Sequence, residues 1–235
     1  MSIKLCFFEV AQLKQVGLKP FLDGIAREPF TKTSSAGFLA DRVSANQIEA
    51  RFIQRIIENH IVEDPSGGSY QFKRISFNEQ RFCLRTKRPQ LILFNPSAAS
   101  RSLAGRLNEF ADFRIAVDNV KLAPERLMNH LAQSFDELKV YSAVLKELEV
   151  SPSTNVKLSF EGSGDVLDQV QRFLQRRRKP AFENLKIHFQ FAGGMKRCEI
   201  RSNGTLHLYE EYDPSLTKKI LQLVDDFVSL GSSSG

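Results

Sequence analysis

Residues 185–209 read LKIHFQFAGGMKRCEIRSNGTLHLY, and the pairing within this stretch decides the fold. Leu185, Ile187, Phe189 and Phe191 alternate with Lys186, His188 and Gln190, the period of a strand with one buried face. Ala192, Gly193 and Gly194 turn the chain. Two further strands, 197–201 and 205–209, then meet across Ser202, Asn203 and Gly204, and that loop admits two registers. A two-residue Asn-Gly loop pairs Ser202 with Thr205 and puts Ile200 on the same face as His207. A three-residue loop with Gly204 left-handed pairs Arg201 with Thr205. Cys198, Ile200, Leu206 and Leu208 then share one face, while Arg197, Glu199, Arg201, Thr205, His207 and Tyr209 share the other. A slip of one residue would send every apolar side chain to the wrong face, so burial selects the second register.

The flanks complete a unit. Residues 156–160 predict a strand, EGSG a turn, and 165–177 a helix with Val166, Val170, Phe173 and Leu174 on one face. Asp213 caps a final helix with Pro214 in its first turn and Leu216, Ile220, Leu223, Val224 and Phe227 as its stripe. The C-terminal unit therefore reads β-α-β-β-β-α. Its helices cover one sheet face and leave a polar face carrying Lys186, His188, Gln190, Arg197, Arg201, His207 and Tyr209.

Upstream, a short apolar strand opens the chain at 3–10. Pro20, Gly24, Pro29 and TKTSSAG make 11–43 read as an irregular arm, suited to contacting a protein partner. Ser44 is read as the cap of a helix whose face holds Ile48, Phe52, Ile53, Ile56 and Ile57. EDPSGG is a turn, and 70–77 with 81–86 form a hairpin around Asn78, Glu79 and Gln80. QLILF is a continuous apolar run that suits a central strand. Asn95 and Pro96 are read as the start of a helix with Leu103, Leu107 and Phe110 inward. A strand at 113–117, a helix at 122–135 and a strand at 138–145 follow. The polar SPSTN at 151–155 is the expected boundary. The organisation expected is a strand and arm at 1–43, an α+β unit at 44–150, a basic α+β unit at 151–230 and a flexible tail at 231–235. Strands and helices mix without strict alternation, so the class is α+β, with mixed or antiparallel sheets packed with helices.

Composition is that of a globular chain: 235 residues, 42% hydrophobic and 26% charged, with 19 Phe and no Trp. No run approaches the ~18 apolar residues of a membrane span. The start is too short for a secretory leader. Cys6, Cys83 and Cys198 lie far apart and predict reduced thiols in a cytoplasmic protein. The net charge is +6, and it is unevenly spread. Residues 172–201 hold nine Lys/Arg against Glu183 and Glu199, and 73–88 hold six against Glu79. The remainder is acidic.

The basic run QRFLQRRRKP carries Arg172, Arg176, Arg177, Arg178 and Lys179. One or two cations at a helix C-terminus complement its dipole, each by ~0.3–1 kcal/mol. Four or five repel one another unless an anion relieves them, which points to a polyanion. With this run, Lys186, His188, Arg197, Arg201 and Tyr209 form the expected nucleic-acid surface, with phosphates held by the cations. Lys73, Arg74, Arg85, Lys87 and Arg88 form a second basic surface. Asp118 followed by Glu137 and Lys139 on a strand gives the sequence its one nuclease-like pattern, an acid and then Glu-x-Lys around a divalent ion. Two acids and a lysine recur by chance in a chain this charged. His207 falls opposite Glu199, as an ordinary cross-strand pair does. The four histidines and three cysteines have no metal-ligand spacing, and no cofactor motif is present. The expected function is non-enzymatic binding of DNA or RNA within a larger complex. A structural or adaptor subunit and a metal-dependent nuclease are the alternatives.

Overall fold

The computed structural model describes residues 2–146, 148–151, 154–173, 181–209 and 212–231. In chain order the first elements are β1 (Ile3–Ala11), α1 (Leu13–Val16), α2 (Lys19–Arg27), β2 (Ala36–Ser44), β3 (Gln47–Glu63), β4 (Ser69–Arg85) and β5 (Leu91–Phe94). Then come α3 (Ser100–Phe110), β6 (Ala116–Asn119), α4 (Pro124–Ala132), β7 (Asp136–Leu145), β8 (Leu148–Ser151) and β9 (Thr154–Val156). The chain ends with β10 (Ser159–Glu161), α5 (Leu167–Phe173), β11 (Phe182–Phe191), β12 (Gly194–Arg201), β13 (Thr205–Leu208) and α6 (Pro214–Gly231). Helix and strand are mixed, at 27% and 46%, and the pairs β10–β7, β7–β11, β11–β12, β12–β13, β13–β1, β2–β3, β3–β4 and β4–β5 run antiparallel. The chain divides into two compact units, one of residues 1–9 with 119–235, the other of 10–118.

In the first unit the strand order is β10, β7, β11, β12, β13, β1. The register at the decisive turn is the three-residue one: Arg201 opposes Thr205, and Cys198, Ile200, Leu206 and Leu208 are all buried. Gly204 takes φ +79°, as this loop requires. The Phe7 amide donates to the Gly204 carbonyl at 2.8 Å, and the Val120 amide donates to the Phe7 carbonyl at 3.0 Å. A Cβ on Gly204 would stand 2.6 Å from the Val120 oxygen and 2.8 Å from that of Phe7. The helix that Asp213 was expected to cap is α6: Asp213 accepts from the amides of Ser215 and Leu216. Leu216, Ile220, Leu223 and Val224 are buried, as are Leu127, Met128 and Leu131 of α4. The strand expected at 156–160 is divided, with β9 ending at Val156 and β10 beginning at Ser159. Of the helix expected at 165–177, α5 covers 167–173, Asp165 accepts from the Leu167 amide at 2.9 Å, and 174–177 lie outside the described residues.

The second unit departs most from expectation. Residues 47–58 are strand, not helix. Ser44 ends β2, Ala45 and Asn46 make a two-residue turn, and β3 runs seventeen residues from Gln47. Ile48, Ala50 and Phe52 are buried at period two. The row Ile48, Phe52, Ile56 satisfies both periods, because four is a multiple of two, and four isoleucines tip the balance to strand. The turn expected at 78–80 is absent, since β4 pairs with β3 without a break from Ser69 to Arg85. Residues 11–43 are ordered into α1, α2 and β2. Pro20 sits in the first turn of α2, Phe21 and Ile25 are buried, and Gly24 is seated against the Phe110 ring. Helix α3 starts at Ser100 rather than Asn95. Asn95 takes φ +47°, and the Ser97 amide and Ser100 hydroxyl both donate to the buried Gln80 side chain, at 2.8 and 2.7 Å. β6 begins at Ala116 because Asp112 and Phe113 are left-handed. QLILF is β5, buried against β4, as expected.

Replacing Gly204 by Ala strains a left-handed residue and drives a methyl into two backbone oxygens. The expected loss is upwards of about 2 kcal/mol, read from denaturant unfolding, with Asn203→Ala as the milder control.

Candidate nucleic-acid interface

Alternation brings polar side chains of six strands of the first unit into one row. Glu161 of β10 opposes Ser142, Ser142 opposes Lys186, Lys186 opposes Glu199, Glu199 opposes His207, and His207 opposes Lys4. In the next row Lys139, His188 and Arg197 are partners. The Tyr141 ring lies parallel to that of His188, 10° apart with centroids at 5.7 Å. Burial pushes the Tyr141 hydroxyl up, so it stays a neutral phenol. The His207 and Tyr209 rings meet at 4.2 Å. Arg197 is exposed, and Lys186, His188, Arg201, His207 and Tyr209 are half-buried, as on the open face of a sheet.

Glu199 sits at the centre and is 2% exposed. Its carboxylate accepts from Arg201 Nε at 2.8 Å and Arg201 Nη2 at 3.1 Å, from Tyr209 Oη at 2.6 Å and from Asn184 Nδ2 at 2.8 Å. Burial alone would raise its pKa. The bonds from Arg201 and Tyr209, with the charge of Lys186 nearby, outweigh that and hold it below the usual carboxylate range. The same contact raises Arg201. Burial first, then the bond to Glu199, pushes the Tyr209 phenol up. Burial lowers His207 despite the pull of Glu199, leaving a neutral ring at physiological pH. Glu199 is thus a structural counter-charge that fixes Arg201 and Tyr209 in place. In the middle of the face Lys4, Lys139, Lys186, Arg197 and Arg201 outnumber it. Glu161 lies on the edge strand, and Glu137 at the start of β7, where it accepts from Gln190 at 3.2 Å.

The sequence-predicted residues separate into groups. Lys186, His188, Arg197, Arg201 and Tyr209 share the face. Arg172 does not join them: α5 sets Phe173 against Phe160 at 5.6 Å, and Phe160 stands in register with the buried Ala143 and Leu185, on the core side of the sheet. Arg176, Arg177, Arg178 and Lys179 lie outside the described residues. The second basic surface is not one surface. Lys73 and Arg85 are roughly 40 Å apart along β4. Arg85 is buried and donates to the Pro89 carbonyl at 2.7 Å, while Lys87 and Arg88 lie in the turn after it. Of the nuclease pattern, Asp118 lies in β6 and Glu137 and Lys139 lie in β7. Glu137 has φ +50°, which interrupts the alternation that Glu-x-Lys relies on. Among the described residues no group of three His, Cys, Asp or Glu is placed to hold a metal. Cys83 and Cys198 are buried, and burial pushes the Cys198 thiol far up, so it is no nucleophile.

Sequence reasoning missed Tyr141, Lys139 as a face residue, and Lys4. Lys4 reaches the face through a pairing 203 positions away, with His207, which no local pattern announces. A pocket of about 350 Å³ also lies in this unit, at the start of α4, lined by Leu122, Pro124, Arg126, Lys146 and Phe182 among others. Among the described residues its lining holds one carboxylate, Glu125, and no nucleophile–base pair. No helix among the described residues is long and apolar enough to cross a membrane. Neither a scan against protein-family models nor a search of curated proteins finds a match for this chain.

Glu199→Gln should cost on the order of 1–3 kcal/mol at pH 7, since it weakens buried charge-assisted bonds. Because the folded carboxyl titrates below its ordinary value of 4.5, its contribution is complete above that pH and fades as pH falls through the folded value. The gap between wild type and variant, read from urea unfolding, should therefore narrow below pH 4.5. A gap constant down to pH 3 would remove the counter-charge role.

Proposed function

We propose that this chain is a non-enzymatic nucleic-acid-binding protein, working within a larger complex, that holds a single strand of DNA or RNA on the open sheet face of its first unit. The reading takes the C-terminal β-α-β-β-β-α run as the binding module, extended by β1 and β7. The observation that carries it is the parallel Tyr141–His188 ring pair flanked by Lys139, Lys186 and Arg197 on one exposed face. Flat rings accept unpaired bases of any identity, and the cations track phosphates, so affinity without sequence readout is the chemistry on offer. A single strand suits this face better than a duplex, since rings on a flat sheet reach only bases that are not already stacked. The free thiols of Cys6, Cys83 and Cys198 accord with a reducing, cytoplasmic setting.

Labelled single strands titrated by fluorescence anisotropy test this. Phosphate contacts by Lys4, Lys139, Lys186 and Arg197 predict a log–log salt slope of about −3, and Lys186→Ala with Arg197→Ala should make it shallower by about 1.4. Tyr141→Ala should weaken binding by about 5- to 150-fold per lost stack with the slope unchanged. Affinity indifferent to salt, or binding unaltered by all three changes, would overturn the reading. Replacing Arg176, Arg177 and Arg178 by Ala tests the basic run separately.

The adaptor reading is favoured by a different observation, the apolar surface of the β3–β4 ribbon, which supports membership of an assembly and is compatible with strand binding.

A further inference from the structure

β3 and β4 outrun their neighbours in the second unit. β2 accompanies β3 only as far as Gln54, with the Arg55 amide still reaching the Ser35 carbonyl, and β5 accompanies β4 only over 81–84. Beyond these points, 56–63 and 69–76 pair with each other and, among the described residues, with no third strand. Ile57, Ile61, Val62, Tyr70, Phe72, Ile75 and Phe77 of this ribbon are each 51–65% exposed. Ile57, Ile61, Ile75 and Phe77 fall on one face of the ribbon and Val62, Tyr70 and Phe72 on the other, so apolar side chains flank its free edge on both sides. A two-stranded ribbon is marginal in water, and a free apolar edge is a pairing template. Charge argues against a polyanion as the cover. From 55 to 77, Arg55, Lys73 and Arg74 are balanced by Glu58, Glu63 and Asp64.

The free edge of β3 names its own partner. Residues 55–63 read RIIENHIVE. Laid antiparallel on itself with Asn59 at the centre, the stretch is complementary at every position. Asn59 meets Asn59, Glu58 meets His60, Ile57 meets Ile61, Ile56 meets Val62 and Arg55 meets Glu63. Moving the centre to Glu58 would oppose two carboxylates, and moving it to His60 would set Glu58 against Val62 and Ile57 against Glu63. The backbone agrees with the Asn59 centre. The Arg55 amide points to the β2 side, so those of Ile57, Asn59 and Ile61, at even offsets from it, point to the same open edge. We propose that two copies of this chain join edge to edge through β3, about a two-fold axis at Asn59, forming a four-stranded sheet from two ribbons. This contact is isologous and closed, so it yields a dimer and not a fibre.

Two measurements without nucleic acid decide it. By light scattering at tens of micromolar, the wild-type chain should be a dimer. Asn59→Pro removes only an outward amide, so it should be a monomer with an unchanged circular dichroism spectrum. In a Cys6→Ser background, Asn59→Cys should form an intermolecular disulfide on mild oxidation, because facing Cα atoms of a hydrogen-bonded pair lie about 5.5 Å apart. Ile57→Cys and Ile61→Cys should each fail to link alone yet link when mixed. A monomeric wild type, a dimer that survives Asn59→Pro, or Ile57→Cys linking to itself as fast as Asn59→Cys would each overturn the proposal.

Discussion

Three stretches far apart in sequence meet at one glycine, and the sheet of the first unit depends on that meeting. Phe7 donates to Gly204, Val120 donates to Phe7, and Leu122 donates to Ser202, so residues near 7, 120 and 203 share a single hydrogen-bonded corner. Only a residue without a side chain, in the left-handed region, leaves room for both carbonyls. The corner sets β1 beside β13, and that pairing puts Lys4 opposite His207. The same loop fixes the register of β12 against β13 and so places Glu199 between Lys186 and His207. A slip of one residue there would bury Arg201 and His207 and expose Ile200 and Leu206. The candidate site is thus a consequence of the turn.

Where one face of a strand is buried and the other is not, its sequence was sufficient. β11 could be recognised because Leu185, Ile187 and Phe189 alternate with charged and polar neighbours, and the register of β12 against β13 could be read because a single glycine distinguishes the two loops. β3 defeated the same reasoning for a physical cause. Its apolar residues fall on both faces beyond Phe52, so alternation fades, and Ile48, Phe52 and Ile56 remain at a spacing that helix and strand share. A strand that will be covered on both faces, or by another molecule, has no reason to alternate. The misreading therefore marks the segment whose burial is incomplete within one chain.

Charge was legible in amount and not in place. The run at 73–88 seemed one surface, yet an extended strand spreads its ends over tens of ångströms and turns alternate side chains apart. Glu199 counted in the sequence as a minor deduction from a basic stretch. In the fold it is the buried acceptor that immobilises Arg201 and Tyr209, removing both from the pool of free contacts. Lys4 and Lys139, which lie outside either basic run, take their place on the face.

The two exposed surfaces differ in the kind of partner their chemistry selects. The sheet face combines fixed cations with stacked rings, so on the proposed reading its attraction for phosphates would decay with salt and its hold on bases would not. The β3–β4 ribbon is electrically balanced and apolar, and burying it gains from the hydrophobic effect, which salt does not screen. If the sheet face binds single strands as proposed, pairing through β3 would give one particle two such faces, and a strand long enough to reach both would meet the second at an effective concentration set by its own length. Length dependence of affinity would then belong to the paired state alone, because on this reading one chain contributes one face however long the strand.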